Sequence, residues 1–221
     1  MELEEPRLLD ALACLLGALA VLCLLLLRAF GTSYGRYSPP RDAWPVPARC
    51  AWALQELPSL AVPLLVCARA PAERLRRAPN RTLLAMFLLH YAHRSLIYPF
   101  LIRGGKPTPF FTWIFACIFC TYNGYLQSKY LSQYAVYDED WVTDPRFLTG
   151  GLFEYITAAN YFGEITEWCG FALASWSIQG VAFALFTFCI LSSRAKQHHE
   201  WYLQKFEDYP KFRKTLIPFL F

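Results

Sequence analysis

Polar side chains that could do chemistry lie inside stretches of this sequence that are otherwise apolar enough to span a bilayer. Gln55 and Glu56 form one pair, and Glu164 and Glu167 form another. Residues 90–94, with the sequence His-Tyr-Ala-His-Arg, add a phenol, two imidazoles and a guanidinium. Charged groups in hydrocarbon cost free energy, so they usually mark a functional site. The combination predicts a membrane-embedded pocket that suits a lipid-soluble substrate and an anionic cofactor.

Helical spacing gathers these groups onto shared faces. His90 and Arg94 are four residues apart and share one face of a helix, with Tyr91 on the neighbouring face. Two further stripes repeat at helical spacing: Asn160 with Glu164 and Glu167, and Arg194 with His198 and Tyr202. Polar groups are therefore expected to converge from at least four segments.

Each of these groups also has a structural interpretation. His93 and Arg94 could be hydrogen-bond partners inside a helical bundle, and Glu164 or Glu167 could pair with such an arginine to hold helices together. Tyr91 could be an interfacial anchor, although its depth in the apolar run argues against that role.

A metal site is not expected from the histidines and cysteines. The adjacent His198 and His199 would point in different directions on a helix. Cys117 and Cys120 form a single CxxC pair, with no second pair and no ligating histidine beside it. The cysteines are therefore interpreted as small packing residues.

The elements that must position these groups are membrane spans. Hydrophobic residues make up 56% and charged residues 17% of the 221 residues, which is outside the balance of a soluble domain. The net charge of +4 comes from basic residues in short loops and in the tail, which is typical of membrane proteins, so no nucleic-acid surface is expected.

A span needs about twenty mainly apolar residues. Six stretches qualify, at 8–30, 51–68, 82–102, 108–130, 156–176 and 178–193. Pro58 and Pro63 interrupt the second, and Pro58 is expected to loosen the helix one turn after Gln55. The ten-residue alternation of a membrane barrel is absent from the sequence. These observations predict an all-α polytopic membrane helical bundle, with residues 1–221 as one domain.

Several motifs occur in the order in which a known family carries them. They include Gln-Glu-Leu-Pro-Ser at 55–59, His-Tyr-Ala-His-Arg at 90–94, Arg-Gly-Gly-Lys-Pro at 103–107, Gly-Gly-Leu-Phe-Glu-Tyr at 150–155 and Leu-Ile-Pro-Phe at 216–219. Over nearly its whole length the chain resembles the steroid 5-alpha-reductase family.

The resemblance implies a multi-pass enzyme of the endoplasmic reticulum membrane that passes hydride from NADPH to C5 of a 3-oxo-Δ4 steroid such as testosterone or progesterone. It implies that Tyr91 and Glu56 hold the C3 carbonyl, with Gln55 also at the substrate. Glu56 would then be protonated or share a proton with Tyr91, which burial in an apolar span favours. The NADPH contacts implied by the resemblance are Asn160, Glu164, Arg194, His198 and Tyr202.

The chain departs from the family pattern just before Gly150. Family members have another membrane helix and an NADPH-binding loop between the Asp-x-Arg-Phe motif, here at 144–147, and the Gly-Gly motif that begins at Gly150. The six spans therefore compare with seven in the family. One alternative is a catalytically inactive shortened isoform. Another is a related polyprenol or enoyl-thioester reductase, against which Gln55-Glu56 with Tyr91 favours the steroid.

Charge asymmetry gives an expected topology. Arg28, Arg36, Arg41 and Arg49 follow the first span, so its acidic start is expected in the lumen. The basic tail favours the cytosol. With one span missing, the runs at 156–176 and 178–193 are expected to supply only one stable crossing.

Overall fold

The computed structural model describes residues 5–30, 44–69, 72–137, 159–205 and 214–217. Within these ranges the named secondary-structure elements are helices, and an isolated bridge joins Val46 and Thr108. The α-helices are α1 Glu5–Phe30, α2 Ala48–Glu56, α3 Pro58–Arg69, α4 Ala78–Ala92, α5 Tyr98–Leu101, α6 Phe110–Lys129, α7 Ala159–Ser175 and α8 Ile178–Lys205. The predicted all-α membrane bundle is confirmed.

The chain divides into two compact units. Unit 1 comprises Met1–Leu9 and Thr32–Thr143, and unit 2 comprises Asp10–Gly31 and Asp144–Phe221. Among the described residues, three stretches are long and apolar enough to cross a membrane: Glu5–Ala29, Ala48–Arg69 and Ile178–Lys205. Many of their leucines are exposed, as side chains that face lipid must be.

The second predicted span is interrupted at Leu57. α2 ends at Glu56, and α3 begins at Pro58. Proline has no backbone N–H, so the helical hydrogen bond that residue 58 would donate is missing. Leu57 keeps helical dihedrals, and its N–H donates to the carbonyl of Ala53, so the helix is loosened at Pro58 as expected. The interruption leaves Glu56 in the last turn of α2, at the junction of two helices.

The third predicted span contains a widened turn. α4 is followed by a π-helical turn at His93–Ile97, and α5 carries Pro99 near its start. The backbone N–H of Tyr98 donates to the carbonyl of His93, one residue further back than in an α-helix. Pro99 cannot donate a backbone hydrogen bond, which favours such an irregular turn. Turns of this kind are frequent at functional sites, and this one carries Arg94.

α3 and α6 approach closely at Gly124. A Cβ atom at this position would lie 3.2 Å from Ser59 Cα and 3.3 Å from the carbonyl oxygen of Pro58. One turn earlier on α6, the carbonyl of Cys120 accepts a hydrogen bond of 3.1 Å from Ser59 Oγ. The crossing therefore fixes α6 against the junction of α2 and α3.

In unit 1 the end of α6 lies beside the first turn of α1. Lys129 Nζ is 2.8 Å from Glu5 Oε1, and the hydroxyl of Tyr134 donates to the same carboxylate. The side-chain amide of Asn80, near the start of α4, donates to the carbonyls of Leu131 and Ala135 at 2.8 and 3.0 Å. The start of α4 and the end of α6 are thereby joined.

In unit 2, α7 and α8 form a tight hairpin. Trp176, with φ of 38°, lies in the turn, and Ser177 Oγ accepts a 3.0 Å hydrogen bond from the backbone N–H of Gly180. A Cβ at Gly180 would lie 2.5 Å from Ser175 Oγ and 3.1 Å from Ala172 Cα, so this close approach favours glycine. α8 continues to Lys205. The helix therefore extends past the apolar span predicted to end at 193, and it includes the polar stripe that begins at Arg194.

α8 runs in the same direction as α1 within unit 2. Asp10 Oδ1 accepts a 2.8 Å hydrogen bond from Gln179 Nε2. One to two turns further along both helices, a Cβ at Gly17 would lie 3.9 Å from Leu185 Cδ2. The contacts therefore advance together along the two helices.

Candidate functional site

The first candidate site is built around a buried ion pair in unit 1. Arg94 Nη2 lies 3.1 Å from Glu56 Oε1, and Arg94 Nε lies 3.3 Å from Glu56 Oε2. The guanidinium thus engages both carboxylate oxygens, the geometry in which arginine binds carboxylates best. The Glu56 side chain is 8% exposed and that of Arg94 23%. The pair is therefore largely withdrawn from solvent.

An aromatic side chain supports the guanidinium. Arg94 Cζ lies 5.0 Å from the centroid of the Trp52 ring, and Tyr98 meets Trp52 edge to face at 5.1 Å. A cation held over an aromatic face is attracted by the ring electrons. Trp52 precedes Glu56 by four residues on α2, so one helix face presents both the ring and the carboxylate to Arg94.

Tyr91 lies in the same unit, one turn before Arg94. Its side chain is buried, and its ring packs at 4.7 Å from Phe87 and 5.2 Å from His90. Ser59 is a hydrogen-bonding neighbour of the phenol, and Glu56 and Arg94 lie close enough to act on it electrostatically. The phenol is therefore a hydrogen-bond donor that is buried against Phe87 and lies beside the pair of Glu56 and Arg94.

Two more side chains complete the polar cluster. Gln55 Nε2 lies 3.5 Å from Glu56 Oε1, and Cys120 Sγ lies 4.0 Å from Glu56 Oε2. Gln55 Oε1 is buried and has no hydrogen-bond partner among the residues that the structure describes. A buried acceptor of this kind is available to a ligand donor.

The structure brings the predicted Gln55, Glu56 and Tyr91 together. We expected Glu56 to be a protonated acid or to share a proton with Tyr91, and this stays a prediction. Arg94 contacts both carboxylate oxygens of Glu56. Arg94 was considered as a structural partner of Glu164 or Glu167, and Glu56 is an acid that it does bind.

Sequence reasoning missed three members of the cluster: Trp52, Ser59 and Cys120 in its contact with Glu56. The four-residue spacing of Trp52 and Glu56 could have indicated the first of them. Ser59 and Cys120 carry no such signal, because their role depends on the crossing of α3 and α6.

The second group of predicted residues lies in unit 2. Arg194, His198 and Tyr202 follow one face of α8 and are half-buried, as is Glu164 on α7, whereas Glu167 is exposed. The side chain of Asn160 lies outside the described residues. His198 Nε2 is 3.1 Å from the hydroxyl of Tyr161, a residue that the sequence motifs did not indicate. The Tyr161 ring packs against a buried cluster of Ile165, Leu191, Ala195 and Leu216.

The chemistry of this second group fits an anionic dinucleotide. A guanidinium can bind phosphate oxygens, and an imidazole and a phenol supply further donors. The hydrogen bond to Tyr161 fixes the ring of His198, so one imidazole in this stripe is already oriented. Among the described residues, histidine, cysteine and acidic side chains form no group of three that could bind a metal.

Comparison with known proteins gives concordant matches. The family model described as 3-oxo-5-alpha-steroid 4-dehydrogenase matches residues 106–151 and 146–221. The chain is 60% identical to 3-oxo-5-alpha-steroid 4-dehydrogenase 1 of Bos taurus, with all of both chains covered. It is 57% identical to the Homo sapiens protein of that name, over 98% of this chain and 97% of the relative. The Homo sapiens protein 3-oxo-5-alpha-steroid 4-dehydrogenase 2 is 42% identical, over 93% of this chain and 94% of the relative.

These matches also bear on the missing segment. The alignment with the Bos taurus protein runs over 256 positions, more than the 221 residues of this chain, so part of the relative has no counterpart here. The family model matches in two pieces that meet at 146–151. This is the position, just before Gly150, at which the sequence motifs indicate a loss.

Proposed function

Because the chain belongs to the 3-oxo-5-alpha-steroid 4-dehydrogenase family, we propose that it binds a 3-oxo-Δ4 steroid and reduces the Δ4 double bond with NADPH. The proposed substrates are testosterone and progesterone, and the proposed location is the endoplasmic reticulum membrane. The observation that carries the proposal is the buried phenol of Tyr91 beside Glu56 in unit 1.

The chemistry of a conjugated enone explains the need for these groups. Addition of a hydride at C5 places negative charge on the C3 oxygen, and a donor aimed at that oxygen stabilises the transition state. NADPH, when bound, supplies the hydride. Tyr91 donates its hydroxyl proton in a hydrogen bond to the C3 oxygen, and Glu56 and Gln55 line the same end of the site. Burial strengthens this hydrogen bond because water does not compete for it.

The residues proposed to hold NADPH are those of unit 2. Arg194 would bind phosphate oxygens, and His198, Tyr202, Glu164 and Asn160 would bind the remaining polar groups. The oriented imidazole of His198 supports this proposal, since its ring is held by Tyr161.

A second candidate function is steroid binding without turnover. The segment that the resemblance implies to be missing before Gly150 favours it, because the resemblance also implies that this segment carries part of the NADPH site. Loss of two or three charge-assisted hydrogen bonds, at about 1.5–3 kcal/mol each, lowers cofactor affinity by several powers of ten. We therefore expect this chain to bind steroid well and to turn it over slowly.

Substitution of Tyr91 tests the steroid site directly. Tyr91→Phe removes the donor and keeps the ring, so binding of labelled testosterone should weaken by about 1–3 kcal/mol. The measurement is equilibrium binding to the purified chain in lipid nanodiscs, with turnover in the presence of NADPH recorded on the same samples.

Tyr125→Phe is the matched control, because Tyr125 is a half-buried tyrosine of α6 in the same unit. Its binding constant should equal that of the unsubstituted chain. Unchanged testosterone affinity and unchanged rate in Tyr91→Phe would refute the role of Tyr91.

A further inference from the structure

We propose that Arg94 is a positioning residue of the steroid site, which holds the Glu56 carboxyl group in a fixed orientation beside the Tyr91 phenol. The inference rests on the proposed function, because it assigns Arg94 a part in recognition of the C3 carbonyl. Arg94 itself is not required to touch the steroid. Its effect passes through Glu56.

The geometry of the pair is the first argument. Two different nitrogens of Arg94 reach the two oxygens of Glu56, at 3.1 and 3.3 Å. Two-point contact fixes the plane of the carboxylate as well as its distance, which a single contact does not. The weaker neighbours of Glu56, Gln55 at 3.5 Å and Cys120 at 4.0 Å, cannot fix it in this way.

The placement of Arg94 is the second argument. It lies in the π-helical turn His93–Ile97, one turn after Tyr91, so the same backbone segment carries the proposed donor and the group that holds Glu56. In the same turn, Ser95 Oγ donates a 3.1 Å hydrogen bond to the carbonyl of Ala53 on α2. This bond ties the turn to the helix that carries Glu56.

The aromatic contact is the third argument, and it distinguishes arginine from lysine. The guanidinium lies over Trp52 at 5.0 Å from the ring centroid, and its planar fork meets the carboxylate at two points. Lysine would keep the charge but would lose the two-point contact. We therefore expect the preference of Arg94→Lys for testosterone over its 3-deoxy analogue to lie between that of the unsubstituted chain and that of Arg94→Gln.

A purely structural ion pair would hold α2 against the π-helical turn without affecting ligand selection. The two roles are separated by comparing testosterone with its 3-deoxy analogue, which keeps the ring skeleton and lacks the C3 oxygen. A structural role lowers the affinity for both ligands equally. A positioning role lowers only the affinity gained from the C3 oxygen.

The experiment measures both affinities for the full chain in nanodiscs, without NADPH. Arg94→Gln should reduce the preference for testosterone over the 3-deoxy analogue by about tenfold. Glu56→Gln should reduce this preference by a similar factor. The double variant should lose no more of the preference than either single variant, because each single substitution already disrupts the Arg94–Glu56 pair.

Arg49→Gln is the matched control. Arg49 donates to the carbonyl of Ile102 at 2.9 and 3.1 Å in the same unit, and it is not placed in the steroid site. Its loss should leave the preference unchanged. An equal fall in affinity for both ligands in Arg94→Gln, or no change in their ratio, overturns the positioning role. If the unsubstituted chain shows no preference for testosterone, the proposed carbonyl site itself falls, and the inference falls with it.

Discussion

Burial distinguishes Glu56 from the other carboxylates described in this chain. Glu167 is exposed, and Glu5 is paired in the first turn of α1 with 44% of its side chain accessible. The Glu56 side chain is only 8% exposed. A buried charge is tolerated only with a close partner and hydrogen bonds, and Arg94 supplies both. An acid in an apolar run is unusual by its residue type alone, but the orientation of the Glu56 carboxyl group is set by its partner.

At the residue scale, the sequence identified side chains that the structure brings together, and it did not identify the partner of Glu56. An acid, an amide and a phenol in apolar runs indicated Gln55, Glu56 and Tyr91. Arg94 lies thirty-eight residues after Glu56, and its reach to that acid depends on how the π-helical turn rotates its side chain. Apolar patterning does not define such a rotation, so the pairing could not be predicted.

At the scale of elements, the junction of α2 and α3 is positioned by one glycine on α6. Gly124→Ala places a methyl group 3.2 Å from Ser59 Cα and 3.3 Å from the Pro58 carbonyl, and both are backbone atoms that move only with the helix. We expect a loss of about 1–3 kcal/mol in stability from this overpacking. Thermal unfolding in nanodiscs measures it, and weaker testosterone binding should accompany it.

Gly170→Ala is the control for helix propensity. A Cβ at Gly170 meets no atom within 4 Å outside its own helix, so alanine should stabilise α7 by about 0.5–1 kcal/mol. Equal stability changes in the two variants would show that the α3–α6 crossing does not depend on Gly124.

The elements themselves followed largely from the sequence. Apolar runs predicted the helices, and Pro58 predicted the interruption at Leu57. The π-helical turns at His93–Ile97 and Tyr130–Tyr134 were not predicted, because they result from tertiary contacts as well as from local sequence. The pair of Tyr161 and His198 was missed for a similar reason: its members belong to different helices.

At the scale of the whole molecule, contacts within each unit bear on membrane topology. The ion pair between Glu5 and Lys129 joins the start of α1 to the end of α6, so these two helix ends lie on the same side of the membrane. In unit 2, α8 runs in the same direction as α1. If α1 starts in the lumen, as its flanking arginines predict, α8 ends in the cytosol.

A glycosylation acceptor added after Phe221 tests this orientation. We expect no glycan there, because the basic tail lies in the cytosol, and we expect a glycan on an acceptor placed before Met1. Efficient glycosylation after Phe221 would instead show that α7 and α8 insert in the inverted orientation.

The central claim is that this chain keeps the steroid site of its family and lacks part of the cofactor site. The most direct measurement compares the chain with a version that carries, at 146–151, the segment of the Bos taurus relative that has no counterpart here. Conversion of labelled testosterone is followed with NADPH in nanodiscs. We predict equal testosterone affinity in both forms and a turnover at least about a hundredfold higher with the segment restored. Equal turnover in the two forms at micromolar NADPH, or testosterone binding only in the restored form, would contradict the claim.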